Sequence, residues 1–485
     1  MRPGWIALAC AVAGAAACSS SKPAAPPERR DGGSTDAQVV EIPARPLGMP
    51  DLAAYGWRKR GGHPGYQRAR AAEAKKDWQT VATACQQALG ADPGHLEAAY
   101  LLAAALGNLG RQDAVLAPLQ LAATGDFGKW GPASLELPEL AGFFATPLGQ
   151  AWQRRVEQDR GAYISALARS LIVGADGDLF AYDAESTRWY RITRTFGAVV
   201  GALRLTPTRI AYVTRQRPRG KRTGFTLAIG TIDLATGRTS RAIELGTRGP
   251  ITLAYSARQA PGVWIGVGAP PTMSWRRFDD DYKLSNLPTK TVRPGGPWLE
   301  VKGKRARLHA LPVAGVTADW DDKGLASAVR IGKSSRVITV PSPGLIDGNT
   351  VTWSPDRSHL AFVAQLDDQC AKGAQNAAAF VADTTTGAVH ELERAADGLA
   401  VEWLDDRRLA VAGDQGVTLV DLDGKPPLSL AGADGLLAPR HHPTCTPPDP
   451  PDVEVEPTDP DVPPSEEADP APGGEPVDAG VVDAR

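Results

Sequence analysis

Between residues 161 and 440 apolar and polar positions alternate in short runs, and the same punctuation returns again and again. Phe180-Ala181-Tyr182-Asp183, Gly230-Thr231-Ile232-Asp233-Leu234-Ala235-Thr236-Gly237, Phe380-Val381-Ala382-Asp383-Thr384-Thr385-Thr386-Gly387 and Leu419-Val420-Asp421-Leu422-Asp423-Gly424 each end an apolar run on Asp and continue into a short turn. Asp, Gly and Thr suit tight turns, and alternation with period two on both sides is the signature of strands. Asp279 and the neighbourhood of Ile331-Gly332 fill the remaining places, so the pattern predicts six strand–turn–strand units. Residues 297–340 fit it least well, with four or five strands and no clear set.

The preceding segment has a different period. Residues 62–129 read as helices, and apolar positions recur 34 residues apart: Ala69 and Ala103, Val81 and Val115, Cys85 and Leu119, Ala88 and Ala122. Small residues at the first and last of these let paired helices approach closely, and Pro93 falls where one helix must stop before the next begins. Leu137, Leu140, Phe143, Phe144, Leu148, Trp152 and Val156 continue as an amphipathic segment over 135–158, with Pro138 and Pro147 breaking it into shorter pieces.

Two resemblances follow. The 34-residue period resembles tetratricopeptide repeats, and it covers about 70 residues. Val351-Thr352-Trp353-Ser354-Pro355-Asp356-Arg357-Ser358-His359-Leu360-Ala361-Phe362 is similar to the repeat of TolB-like propellers, and Val401–Val411 and Leu205–Val213 repeat it. Together these predict a multidomain chain, with all-α tetratricopeptide-like helices over 61–160 followed by an all-β propeller of six blades over 161–440. The phrase Ala396-Asp397-Gly398-Leu399 returns as Ala433-Asp434-Gly435-Leu436 near the end of the β region, while Leu171-Ile172-Val173 lacks a preceding strand of its own. Residues 435–440 are therefore expected to supply the missing first strand of the first unit and close a ring.

The ends of the chain add a compartment. Arg2, the apolar run Trp5–Ala17 and then Cys18 form a signal peptide over 1–17, too short to span a membrane. Ala15-Ala16-Ala17-Cys18-Ser19-Ser20 resembles a bacterial lipobox, which implies lipidation at Cys18 and attachment to the envelope, on the outer membrane facing the periplasm. Residues 18–60 are expected to be a flexible tether and 441–485 a disordered acidic tail. Residues 446–485 carry twelve Asp or Glu, one Arg and eleven Pro, a net of −11 hidden inside an overall −2. Residues 18–445 carry a net of +8. The tail is either a solvated end or an arm that folds back on the basic body.

No catalytic set is legible. G-x-S-x-G, H-E-x-x-H and C-x-x-C are all absent from the sequence. Gly332-Lys333-Ser334 mimics the end of a phosphate-binding loop, but Ser327 stands where the leading Gly would be, and a hairpin turn is expected. His441-His442-Pro443-Thr444-Cys445 is read as an exposed segment and Asp279-Asp280-Asp281 as a solvated turn rather than metal sites. Cys370 and Cys445 are a candidate disulfide, weakened because they were placed on opposite faces of the β region. The densest charge is Arg215, Arg217, Arg219, Lys221 and Arg222, a solvated hairpin tip or a loop that binds an anionic envelope polymer, an acidic partner or this chain's own tail. Export argues against nucleic acid. The expectation is a non-enzymatic scaffold for envelope proteins, membrane-held through its lipid, with no cofactor. The alternatives are a glycan receptor and an enzyme with its site at the propeller mouth.

Overall fold

In the computed structural model, residues 40–443 are described apart from internal stretches at 218–223, 241, 258–260, 270–271, 280–282, 289–290, 311–312, 333–335, 341–343, 367–374 and 397. The chain has a helical N-terminal part and a large multi-sheet β region. Helices α1 (His63–Glu73), α2 (Trp78–Ala91), α3 (Leu96–Asn108) and α4 (Leu116–Gly125) pack in sequence. Asp77 accepts a hydrogen bond from the Thr80 N–H at 3.1 Å ahead of α2, and His95 Nδ1 accepts from the Ala98 N–H at 3.2 Å ahead of α3, so each start has a capping acceptor. All eight residues of the 34-residue pattern are at most 1% exposed. After α5 (Phe127–Ala133), Pro138 and Pro147 divide the next segment as expected: α6 (Ala141–Phe144) ends ahead of Pro147, which occupies the first turn of α7 (Pro147–Arg169), where a missing N–H costs nothing. The helical part thus runs to Arg169 rather than to 160, and the β region begins at Leu171.

Six sheets follow. Sheet 1 runs Gly435–Leu436, Leu171–Ala175, Asp178–Asp183, Arg188–Arg191. Sheet 2 holds Val199–Thr206, Arg209–Gln216, Thr226–Asp233 and two short outer strands, Arg238–Thr239 and Ile243–Glu244. Sheet 3 is built on Ile251–Ser256, Gly262–Val267, Ser274–Phe278 and Leu284–Asn286. Sheet 4 is small, with Val316–Thr317, Ala328–Ile331 and Arg336–Thr339. Sheet 5 holds Leu345–Asp347, Thr352–Trp353, His359–Gln365, Ala377–Asp383 and Val389–Ala395, joined by Leu325–Ala326. Sheet 6 holds Leu399–Trp403, Arg408–Gly413, Gly416–Asp421 and Leu428–Leu430, joined by Arg440–His441. The recurrent aspartates act alike: Asp183, Asp233, Asp383 and Asp421 each accept from the N–H two residues on, at 3.2, 2.9, 2.7 and 2.8 Å. That side-chain turn ends the third strand and aims the chain back along the fourth.

Two strand additions depart from a simple repeat. Trp298–Lys302 pairs with Ile251–Ser256 on the side away from the rest of sheet 3, and Arg305–His309 pairs outside it in turn. This hairpin explains why residues 297–340 show no clear set: its partner lies some 45 residues upstream. At the other end, Gly435 and Leu436 pair with Gly174 and Val173 as the first strand of sheet 1, but the chain then leaves, and Arg440–His441 pairs with Ala400 and Leu399 of sheet 6.

Buried apolar side chains join neighbouring sheets. One cluster spans sheets 1 and 2 and the helices, another sheets 2 and 3, others sheets 4 and 5, 5 and 6, and 6 and 1. Among the described residues no such cluster spans sheets 3 and 4.

The segment expected as the end of a flexible tether is packed from Ile42 onward. Ile42, Leu47, Leu52, Ala54 and Tyr55 are buried, and Met49 exchanges both backbone hydrogen bonds with Trp189, at 3.0 and 2.8 Å, on the outer strand of sheet 1. The Tyr55 hydroxyl lies 2.8 Å from both the Gly125 and Trp189 carbonyl oxygens, within donating reach of either, so one side chain links α4 to sheet 1. Apolar residues spaced among prolines form a strap here, because two surfaces are present to receive them.

Candidate functional site

A broad concavity lies where helices meet sheet. A cleft of about 1300 Å³ runs between α5 and α7 on one side and the outer strands of sheet 2 on the other. Tyr163 of α7 forms its floor. Its ring lies 5.2 Å from that of Phe127 and 5.8 Å from that of Tyr190. Two glycines let backbone reach it: a Cβ on Gly128 would stand 2.4 Å from the Tyr163 hydroxyl, and one on Gly237 2.9 Å from its ring. Burial pushes the Tyr163 hydroxyl far up, so it stays protonated. Arg194 enters the same floor and forms a forked ion pair with Asp126, Nε to Oδ2 at 3.1 Å. Burial opposes the Arg194 charge, but the adjacent Asp126 carboxylate outweighs it and holds the guanidinium above its ordinary range. The rim carries Arg160 of α7, Glu136 of the bend after α5, and Arg238 and Glu244 from the sheet, two charges of each sign. The floor is aromatic apart from the Arg194–Asp126 pair, and the edge carries charges of both signs.

A second concavity, about 500 Å³, opens where the first strands of sheets 2, 5 and 6 end. Arg204 Nη2 donates to Glu402 Oε1 at 3.0 Å, and Trp403 Nε1 donates to the Thr352 carbonyl at 3.2 Å. Burial pushes the Glu402 carboxyl above the usual range, and Arg204 offsets only part of that.

His441 is not exposed. It is 4% accessible, and its Nδ1 lies 2.8 Å from Asp347 Oδ2, tying the added strand of sheet 6 to sheet 5. The exposed reading fails because the partner carboxylate comes from a residue 94 positions upstream, which no local pattern reveals. Burial alone would raise the Asp347 carboxyl, but the bond to His441 and those from Asn349 hold it below the ordinary range.

The other expected sites fare as follows. Arg215 and Arg217 lie at the end of the second strand of sheet 2, with the Arg215 guanidinium 6.0 Å from the Phe225 ring and Arg217 exposed. Arg219, Lys221 and Arg222 lie outside the described residues, as do Cys18, Cys370 and Cys445. The face argument against pairing Cys370 with Cys445 does not stand. Arg440–His441 runs antiparallel to Leu399–Trp403 and exits where that strand starts, the end at which second strands also finish. Cys85 is a free, buried thiol that burial pushes up to about 12, which keeps it unreactive. Asp279 accepts from the Lys283 N–H at 2.8 Å in a turn, and Gly332 turns between two strands of sheet 4. Among the described residues no three His, Cys, Asp or Glu side chains are placed to hold a metal ion, and no helix is long and apolar enough to cross a membrane.

No protein-family model and no curated protein matches the chain. Solved structures of propeller-like proteins resemble parts of it distantly. The tricorn protease does so at 10% identity with a TM-score of 0.29, over 55% of this chain and 26% of that one. A 6-phosphogluconolactonase-like protein from Bacteroides uniformis does so at 11% and 0.31, over 56% and 98%. Hsv2p of Kluyveromyces lactis does so at 11% and 0.26, over 49% and 76%.

Proposed function

We propose that the chain is a non-enzymatic scaffold of the bacterial cell envelope, lipid-anchored through Cys18, in which a tetratricopeptide-like helical part and a six-bladed propeller together hold a protein partner. The observation that carries this reading is the cleft at their seam. The strap and the Arg194–Asp126 pair fix helices and sheets as one surface, and the cleft has a largely aromatic floor with a rim of mixed charge. The propeller reading draws support from six sheets in chain order and from the closing of sheet 1 by Gly435–Leu436. The test is affinity capture of the full chain from detergent-solubilised membranes, beside the rim variant Arg160→Glu/Arg238→Glu. A protein retained by the wild type and lost by the folded variant is expected. Equal capture by both, or retention of sugars instead of protein, overturns it.

A second reading is a small-molecule site at the mouth formed by Arg204, Glu402 and Trp403, as a glycan receptor or an enzyme would have. It is favoured only by a protonatable carboxyl beside a cavity. Loss of glycan binding or of a hydrolytic activity in Glu402→Gln, with unchanged folding, would establish it.

A further inference from the structure

Charge is distributed very unevenly along the chain. Residues 199–310, which build sheets 2 and 3, carry twenty Lys or Arg against six Asp or Glu, a net of +14. Part of this charge is gathered at one end of the two sheets. A Cβ on Gly224 would stand 2.6 Å from Arg248 Nη2, and one on Gly249 would stand 3.1 Å from the Val301 carbonyl and 3.5 Å from Lys302 Cα. The end of the second strand of sheet 2, with Arg215 and Arg217, therefore adjoins Arg248 and the tip of the added hairpin, with Lys302, Lys304 and Arg305. Lys302, Lys304, Arg305 and Arg217 are exposed, and none of these four has a carboxylate within 4 Å among the described residues.

The C-terminal chain leaves the fold on that same face. His441 pairs with Leu399 at the start of the first strand of sheet 6, and Asp347 holds it there. Neighbouring contacts carry the same orientation around the sheets. Gly416, which opens the third strand of sheet 6, lies against Ala433 just ahead of sheet 1's first strand, and Gly177, in the turn between the second and third strands of sheet 1, accepts from the Val199 N–H at the start of sheet 2's first strand, at 2.9 Å. First strands begin, and second strands end, on one face, which is the face of the basic cluster.

We propose that the acidic segment 446–485 docks on this face, across Arg215, Arg217, Arg248, Lys302, Lys304 and Arg305. The segment's net of −11 complements the cluster, and its first carboxylate, Asp449, lies eight residues past His441. Eight extended residues reach about 26 Å, and the whole segment several times that. Its eleven prolines are a composition that favours extended chain over helix or sheet. Being on the same chain, it holds an effective concentration on the order of millimolar. A free polyanion must displace it.

The test is zero-length carboxyl-to-amine cross-linking of the full chain at low salt, mapped by mass spectrometry on a mixture of isotopically light and heavy protein. Links from the tail to Lys302 and Lys304 are expected to exceed those to Lys75, Lys76 and Lys425 by at least about fivefold, to lie within one copy, and to vanish in high salt. Arg217→Gln/Arg305→Gln, which keeps both lysines, is expected to lower them severalfold with the melting curve unchanged. Uniform linking to all lysines, links insensitive to salt or to the arginine changes, or links found only between light and heavy copies would overturn the proposal.

Discussion

Arg204 and Glu402 meet at 3.0 Å although 198 residues separate them, so the first strand of sheet 2 is tied to the first strand of sheet 6. Removing one partner leaves a part-buried charge without its ion pair. Arg204→Met is expected to cost about 3 kcal/mol at neutral pH. The sign of the pH effect follows from the raised Glu402 carboxyl: the folded state takes up its proton before the unfolded chain does, so the penalty shrinks as pH falls through the raised value. Arg204→Met/Glu402→Gln should recover most of the loss in chemical denaturation. Additive losses would mean that the pair is not coupled.

The His441–Asp347 bond gives a second pH effect, in a different window. Asp347 is held below its ordinary 3.8, so the bond's stabilisation is present above that value and disappears as pH falls through the lower, folded one. His441→Phe should cost about 1.5–3 kcal/mol at pH 7 and progressively less in strong acid. A penalty that does not change with pH would point to lost packing instead.

At the seam, Gly237 and Gly246 form a matched pair. Their φ values are +67° and +68°, but a Cβ on Gly237 meets Tyr163, whereas one on Gly246 meets nothing within 4 Å. Gly246→Ala should cost about 1–2 kcal/mol for the left-handed backbone alone. Gly237→Ala should cost more and should expose the α7–sheet 2 junction to limited proteolysis. Equal losses would show that Tyr163 yields freely.

The anchor is tested by fractionation. Cys18→Ala is expected to move the protein from membrane to soluble periplasm and to remove a lipid mass from the mature N-terminus. Unchanged fractionation without a lipid mass would remove the membrane from the proposed function.

What could be read from the sequence was local. The 34-residue spacing located four helices, because each position packs against the neighbouring helix within the same short stretch, and all eight residues are buried. The turn aspartates located strand ends, because an Asp side chain bonds to its own backbone two residues on. What escaped depended on distant partners. The strap at 42–55 resembled a tether because Trp189 and Gly125, which receive it, lie far along the chain. The hairpin at 298–309 could not be assigned without Ile251–Ser256. The floor of the seam cleft joins Phe127, Tyr163, Arg194 and Gly237 from four separate segments, and none carries a motif.

Among the described residues, shared apolar cores link the sheets in the order 3, 2, 1, 6, 5, 4, and the joint between 3 and 4 has none. A row of nearest neighbours frays from its extremities, and here the extremities are two sheets from the middle of the sequence. The first and last described segments, the strap and 435–441, pack at the middle of that order, on sheets 1 and 6. Amide exchange should therefore run fastest in Val316–Thr339 and Leu284–His309 and slowest in Leu171–Asp183. The fold is thus expected to give way first in sheets from the middle of the sequence, while the strap and the strands at 435–441 hold.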